Sequence, residues 1–334
     1  MQLHVFTGAV LAFSLAGSLC MAQSAQPSAP EAQGSPSAAS GEPHFPPVQQ
    51  SNFTAPAPTR AEVEAFLKTS WGYDPNRVWE VFGIEKTAAP GVSKVTVLVA
   101  EKQAGQQIAS LAFFVTPDGH HLISQSSVLD FGPHPYAGNY RILQQEANGP
   151  SRGATDKRFE LVEFADFQCP HCKEAEPVAE KLVQDFPQAR LVFQPFPLSQ
   201  SHPYAQRAAA EGLCVRKEKG DLAFFSYAQA LYDKQTDLTQ QGAAGALASA
   251  ATAAGADAAR AATCADTPAI KDAVSASYNL GIKVGVDQAP MLAVNGHLLP
   301  VASFQYDTLK RIVAFQGKED GLDIHEQPTL TNLK

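Results

Sequence analysis

Between Glu160 and Pro187 the sequence reads ELVEFADFQCPHCKEAEPVAEKLVQDFP, and these residues leave little choice of local structure. Phe159, Leu161, Val162, Phe164 and Phe167 make an apolar, aromatic-rich run that suits a central strand buried on both faces. The run ends at Gln168, and from Lys173 to Phe186 the residues Ala175, Val178, Leu182 and Val183 recur at helical intervals. Cys169 and Cys172, separated by Pro170 and His171, therefore sit on a strand-to-helix turn at a helix N-terminus. The spacing alone is compatible with a redox pair, half a metal site or a cross-link.

The surroundings make these unequal. Exposed amides and the dipole at a helix N-terminus favour negative charge, so Cys169, the outer of the pair, is expected as the thiolate. Such positions lower a cysteine pKa from about 8.5 to between roughly 3.5 and 7.5. His171 would add to this when protonated and could donate to sulfur when neutral. Glu163 is a carboxylate inside an otherwise apolar run, sharing a strand face with Leu161 and Ala165. A buried acid there could accept or deliver the proton that moves when Cys172 enters or leaves a disulfide; a strand end facing solvent is the plainer reading.

The rest of the chain bounds the compartment and the domains. Residues 1–22, MQLHVFTGAVLAFSLAGSLCMA, have the shape of a secretory signal peptide, with cleavage expected after Ala22. Leu19 before Cys20 fits a lipoprotein anchor poorly. Residues 23–58 are dominated by Pro, Ser, Ala, Gln and Gly and read as a disordered tether. Residues 59–145 read as a small α+β domain. It holds a capped helix from Thr59, a second short helix over Val78, Val81 and Phe82, and strands at Val95–Val99, Ile108–Val115 and His121–Ser124. Residues 146–156 read as a linker, 157–320 as the domain carrying the cysteines, and 321–334 as a tail. With a net charge of -8 and no basic run, a general attraction to nucleic acid or anionic lipid is excluded.

Glu163, Phe164, Phe167, Cys169, Pro170, His171 and Cys172 together resemble the active-site strand and helix of DsbA-type proteins, the periplasmic dithiol oxidases of the thioredoxin superfamily. Thioredoxins also carry an acid six residues before the first cysteine. The resemblance implies an α/β thioredoxin fold with a helical insertion, here the Ala-rich stretch of about 205–280, preceded by the small α+β domain. It also implies a cis-proline loop facing the disulfide. Gln288-Ala289-Pro290-Met291 fits it, followed by an apolar strand, the Asn295-Gly296 hairpin turn and a closing helix over Ser303–Phe315. By resemblance Pro290 is cis and the Ala289 backbone pairs with an incoming peptide; relatives often carry Val or Thr at that position. Cys214 and Cys264 are then left as a structural disulfide, against two free thiols or a second redox pair. Phe114–Ile123 is similar, in addition, to a hairpin of the N-terminal dimerisation domain of the isomerases DsbC and DsbG.

The function these residues imply is thiol:disulfide exchange on exported proteins, in the periplasm or otherwise outside the cytoplasm. Oxidation is the first reading and isomerisation or reduction by a homodimer the second. A membrane redox partner would reset the site, and no cofactor is expected. A metal-binding or metal-delivery module using Cys169 and Cys172 is the reading from another class, but two thiolates supply only half of a tetrahedral zinc site.

Overall fold

The computed structural model describes residues 43–102, 107–124 and 127–325. The expected signal peptide, most of the expected tether and the end of the tail lie outside them. The chain divides between Pro133 and His134 into two compact units.

In the first unit, helix α1 (Arg60–Trp71) begins at a capping box. The Glu62 amide donates to Thr59 Oγ1 (3.3 Å), and the Thr59 amide donates to Glu62 Oε2 (2.7 Å). Its buried Val63 and Leu67 pack in one core with Val81, Ile84, Val95, Val97, Phe113, Val115 and Leu122. These come from an antiparallel sheet ordered β1 (Arg77–Lys86), β2 (Ser93–Glu101), β3 (Ala109–Val115), β4 (His121–Ser124) and β5 (Ser127–Asp130). Val78, Val81 and Phe82, which read as a short helix, lie in β1 instead. The β1–β2 register shifts between Val81 and Gly83, so an extra residue breaks the alternation. Val81 and Ile84 then both reach the core at a three-residue spacing that imitates a helical turn.

The expected tether also ends earlier than its composition suggests. Phe53 forms a parallel bridge with Ile84, the Ala55 amide donates to Ile84 O (3.1 Å), and the Lys86 amide donates to Thr54 Oγ1 (3.0 Å). Backbone pairing along an open sheet edge needs almost no side-chain hydrophobicity. A Pro- and Ser-rich segment with few large apolar residues can therefore be seated there.

The second unit holds a sheet ordered β10–β9–β7–β8–β6. Its centre is β7 (Glu160–Ala165), buried along its whole length, parallel to β8 (Arg190–Pro195) and antiparallel to β9 (Met291–Val294). Helix α3 (Pro170–Asp185) joins β7 to β8. Asn295 (φ 43°) and Gly296 (φ 89°) make the two-residue turn into β10 (His297–Pro300), a left-handed pair that Asn-Gly adopts at low cost. Helix α9 (Tyr306–Glu319) follows as the closing helix.

Two segments read from sequence as the end of the first domain and a linker belong to this unit. Helix α2 (Ala137–Glu146) is tied by Asn139 Nδ2 donating to Val284 O (2.9 Å), and Tyr136 stacks on His297 at 3.9 Å. Strand β6 (Ser151–Gly153) pairs antiparallel with β8 as an edge strand. Three residues with one Gly carry too little periodicity to announce a strand, and only the partner's register makes them one.

Between β8 and β9 lie α4 (Ala205–Lys219), α5 (Asp221–Asp233), α6 (Ala243–Ala253), α7 (Ala258–Ala265) and α8 (Pro268–Val284), the expected helical insertion. Cys214 of α4 and Cys264 of α7 are disulfide-bonded across 50 residues of sequence. Replacing both by alanine is expected to lower the unfolding free energy by about 2–5 kcal/mol in urea denaturation, with Cys169 reactivity retained. Undiminished stability with lost reactivity would assign the bridge to redox chemistry instead.

Candidate active site

Cys169 is the N-cap of α3 and Pro170 its first residue, where the missing amide and fixed φ of proline suit a helix start. The Cys169 carbonyl accepts from the amides of Cys172 (3.1 Å) and Lys173 (3.3 Å), so the turn around the first sulfur is wound into the helix. The hydrogen bond from the Cys172 thiol is the largest influence on the Cys169 thiol. With the Cys172 and His171 amides it outweighs burial and the Asp166 charge, and the pKa is lowered to about 6. Burial pushes Cys172 the other way, well above the usual thiol range, and the neighbouring Cys169 and Glu163 charges push it further; only the Asp166 amide, donating to its sulfur at 3.3 Å, opposes this. The two sulfurs are thus separated into an ionisable outer thiol and a proton-holding inner one.

The loop before β9 closes on this pair. The Ala289–Pro290 peptide is cis, and the Cys169 thiol donates to the Ala289 carbonyl at 3.5 Å. Met291, the next residue, is in register with Phe164 of β7, which fixes the loop against the cysteine turn through the sheet.

Glu163 lies between Phe193 of β8 and Leu292 of β9 and is 1% exposed. Its Oε2 has no hydrogen-bond partner among the described residues. Burial, then the charge of Glu176, raises its pKa to about 8 against the opposing Arg152, so the carboxyl keeps its proton at neutral pH. His171 contributes differently from the reading of its imidazole. The ring is exposed with Nδ1 3.1 Å from Glu174 Oε2, and it is the His171 amide that favours the thiolate.

Three residues of the site escaped the sequence reading. Asp166 is buried and accepts from the Gln168 amide (2.7 Å), the Leu198 amide (2.7 Å) and His202 Nδ1 (2.9 Å), pinning the turn before Cys169. Glu176 is buried on the face of α3 that carries Cys172, Ala175 and Ala179, and Arg152 of β6 donates to its Oε1 at 2.9 Å. Helical spacing from Cys172 places Glu176 on that face and could have exposed it. Arg152, read as linker, is brought there only by the pairing of β6. Among the described residues no group of three or more His, Cys, Asp or Glu could hold a metal ion.

The sequence family described as Thioredoxin matches residues 145–314, just over half of the chain. Among solved structures, the chain is similar to Proteus mirabilis ScsC in a transitional conformation, at 26% identity over 55% of this chain and 78% of that one, with a TM-score of 0.45. It is also similar to oxidised BdbD from Bacillus subtilis, at 23% identity over 52% of this chain and 93% of that one, also with a TM-score of 0.45. A curated relative, the Na(+)/H(+) antiporter NhaA 3 of Salinispora tropica, is 39% identical over 87 residues, 26% of this chain and 13% of that protein. The chain thus spans about an eighth of that antiporter's length, and among the described residues no helix is long and apolar enough to cross a membrane. The match over residues 145–314, with a parallel β7–α3–β8 unit, a cis-proline loop and a cysteine pair at a helix start all inside it, places the chain in the thioredoxin family.

Proposed function

We propose that this chain is a thiol:disulfide oxidoreductase that introduces disulfides into exported proteins through Cys169 and Cys172. The observation that carries the reading is the opposed ionisation of the two sulfurs beside the Ala289–Pro290 loop, with Cys169 lowered to about 6 and Cys172 raised. In the oxidised protein a substrate thiolate attacks Cys169 Sγ; the Cys169–Cys172 bond breaks and Cys172 leaves as a thiolate. Glu163, protonated at neutral pH, can supply the proton that Cys172 takes up. The second substrate thiolate then attacks the substrate sulfur of the mixed disulfide and expels Cys169. The substrate leaves oxidised by two electrons and the site leaves reduced. A membrane redox partner outside the cytoplasm resets it, and the Ala289 backbone pairs with the extended substrate.

A second reading, isomerisation by a homodimer, is favoured by the hairpin of β3 and β4. Its turn is closed by the Thr116 amide on His121 O (3.0 Å), in the segment that resembles the isomerase dimerisation domain. The two readings separate on substrate. Faster formation of native disulfides in a reduced, unfolded protein supports oxidation. Rescue of a scrambled protein by the reduced enzyme, with no activity toward the reduced protein, would replace it by isomerisation.

A further inference from the structure

The carbonyls of the turn that carries the nucleophile are held from outside the strand and helix that form it. Gln235, in the short 3₁₀ turn after α5, donates through Nε2 to Phe167 O and to Cys169 O, both at 2.9 Å. Gln168, between those two residues, also bonds the insertion and its approach: its Oε1 accepts from the Tyr204 amide (2.9 Å) and its Nε2 donates to the carbonyl of Leu238, at the end of the same 3₁₀ turn (3.3 Å). The two glutamines interlock the turn with the helical insertion.

Gln235 bonds the Cys169 carbonyl, which is also the first acceptor of α3. Fixing that peptide fixes the backbone from which the Cys169 side chain projects, and so its direction toward the amides of His171 and Cys172. A single side-chain amide with two hydrogens is matched to two carbonyls two residues apart in sequence. Burial and apolar packing of the insertion do not require it, since a leucine at position 235 would fill similar space.

We infer that Gln235 is a positioning residue for the nucleophile, clamping the Phe167–Cys169 turn so that the Cys169 sulfur stays over the amide-rich start of α3. The inference rests on the exchange reading of the site and gives the helical insertion a part in the chemistry. Without the clamp the turn relaxes, the amides lose their alignment on sulfur and the thiolate is less favoured. Gln235→Leu removes both donors, and Gln235→Glu keeps the shape but places a carboxylate, which cannot donate, against two carbonyls.

The test is alkylation of the reduced full-length protein by iodoacetamide, read by mass spectrometry on the Cys169-bearing peptide at pH 6 and pH 9. A thiol whose ionisation moves by one unit from near pH 6 loses about fivefold of its thiolate at pH 6 and almost none at pH 9. In both variants the rate at pH 6 divided by the rate at pH 9 is therefore expected to fall about fivefold below the parent's ratio, a comparison in which the intrinsic nucleophilicity of each thiolate cancels. A parent-like ratio in Gln235→Glu, with the fold retained by circular dichroism, would overturn the inference while leaving the exchange reading intact. A parent protein that itself reacts at pH 6 like a free thiol would overturn both.

Discussion

Cys169→Ser is expected to reduce exchange to the background of free thiols, and Cys172→Ala to accumulate stable mixed disulfides with substrate. The asymmetry follows from ionisation. With a pKa of about 6, Cys169 is about nine-tenths thiolate at pH 7, against about 3% for an ordinary cysteine. That factor of about thirty in population is mostly offset by the lower nucleophilicity of a more acidic sulfur, which costs about tenfold over the same range. The larger advantage lies in departure: a sulfur of low pKa leaves a mixed disulfide quickly. Serine has no comparable anion near neutral pH, so its loss is complete. In Cys172→Ala the mixed disulfide forms when the Cys169 thiolate attacks a substrate disulfide, and without the buried Cys172 no second enzyme thiol is present to release it. Non-reducing electrophoresis after substrate challenge checks this. Equal trapping by the two variants would refute the assigned order of attack.

Glu163→Gln is expected to have two effects of opposite sign. A carboxyl whose folded pKa is raised to about 8 binds a proton in the native state that the unfolded chain releases above about pH 4.5. Stability therefore falls as pH rises from about 4.5 through about 8. Glutamine does not ionise, so the variant should be more stable than the parent, with the difference growing across that window to the order of a few kcal/mol. Its amide, set where Oε2 has no partner, offsets part of the gain. Turnover should move the other way. The parent should lose activity as Glu163 gives up its proton above about pH 8. The variant, lacking that donor for the departing Cys172 sulfur, should be slower at neutral pH by the order of a hundredfold and lack that limb. Urea denaturation and rate profiles between pH 5 and pH 9 measure both. An unchanged rate profile with the expected stability gain would leave Glu163 buried and strained but idle.

How much of this was legible depends on how local each feature is. Cys169, Cys172, Glu163 and the β7–α3 turn lie within one stretch of sequence, and the alternation of apolar residues with a helix start fixes them without knowledge of the rest. The Asn295-Gly296 turn could be placed because turn chemistry is carried by the residues themselves, whereas the cis Pro290 loop was implied by the resemblance to DsbA-type proteins. What failed depended on partners distant in sequence. The bulge near Val81 imitates a helix because the register is set by β2, and residues 53–55 pair with β1 through backbone atoms that composition does not report. Arg152 faces Glu176 only because β6 borrows its register from β8. Asp166 reads as an ordinary polar residue before a turn until Leu198 and His202 are folded onto it.

The electrostatics also set a scale for the site's direction. Lowering the outer thiol to about 6 stabilises the reduced form at pH 7 by at most about 1.4 kcal/mol, or about 30 mV for two electrons. The burial of Cys169 itself and the negative charge of Asp166 act against its ionisation, so oxidising power rests on the excess of the Cys172 thiol and the helix amides over them.

Equilibrium titration of the Cys169–Cys172 pair against glutathione at pH 7 tests that balance most directly. A potential between about −220 and −120 mV, more oxidising than the about −270 mV of thioredoxin-type reductants, is the expected result. A value at or below about −270 mV would contradict it and make the site a reductant.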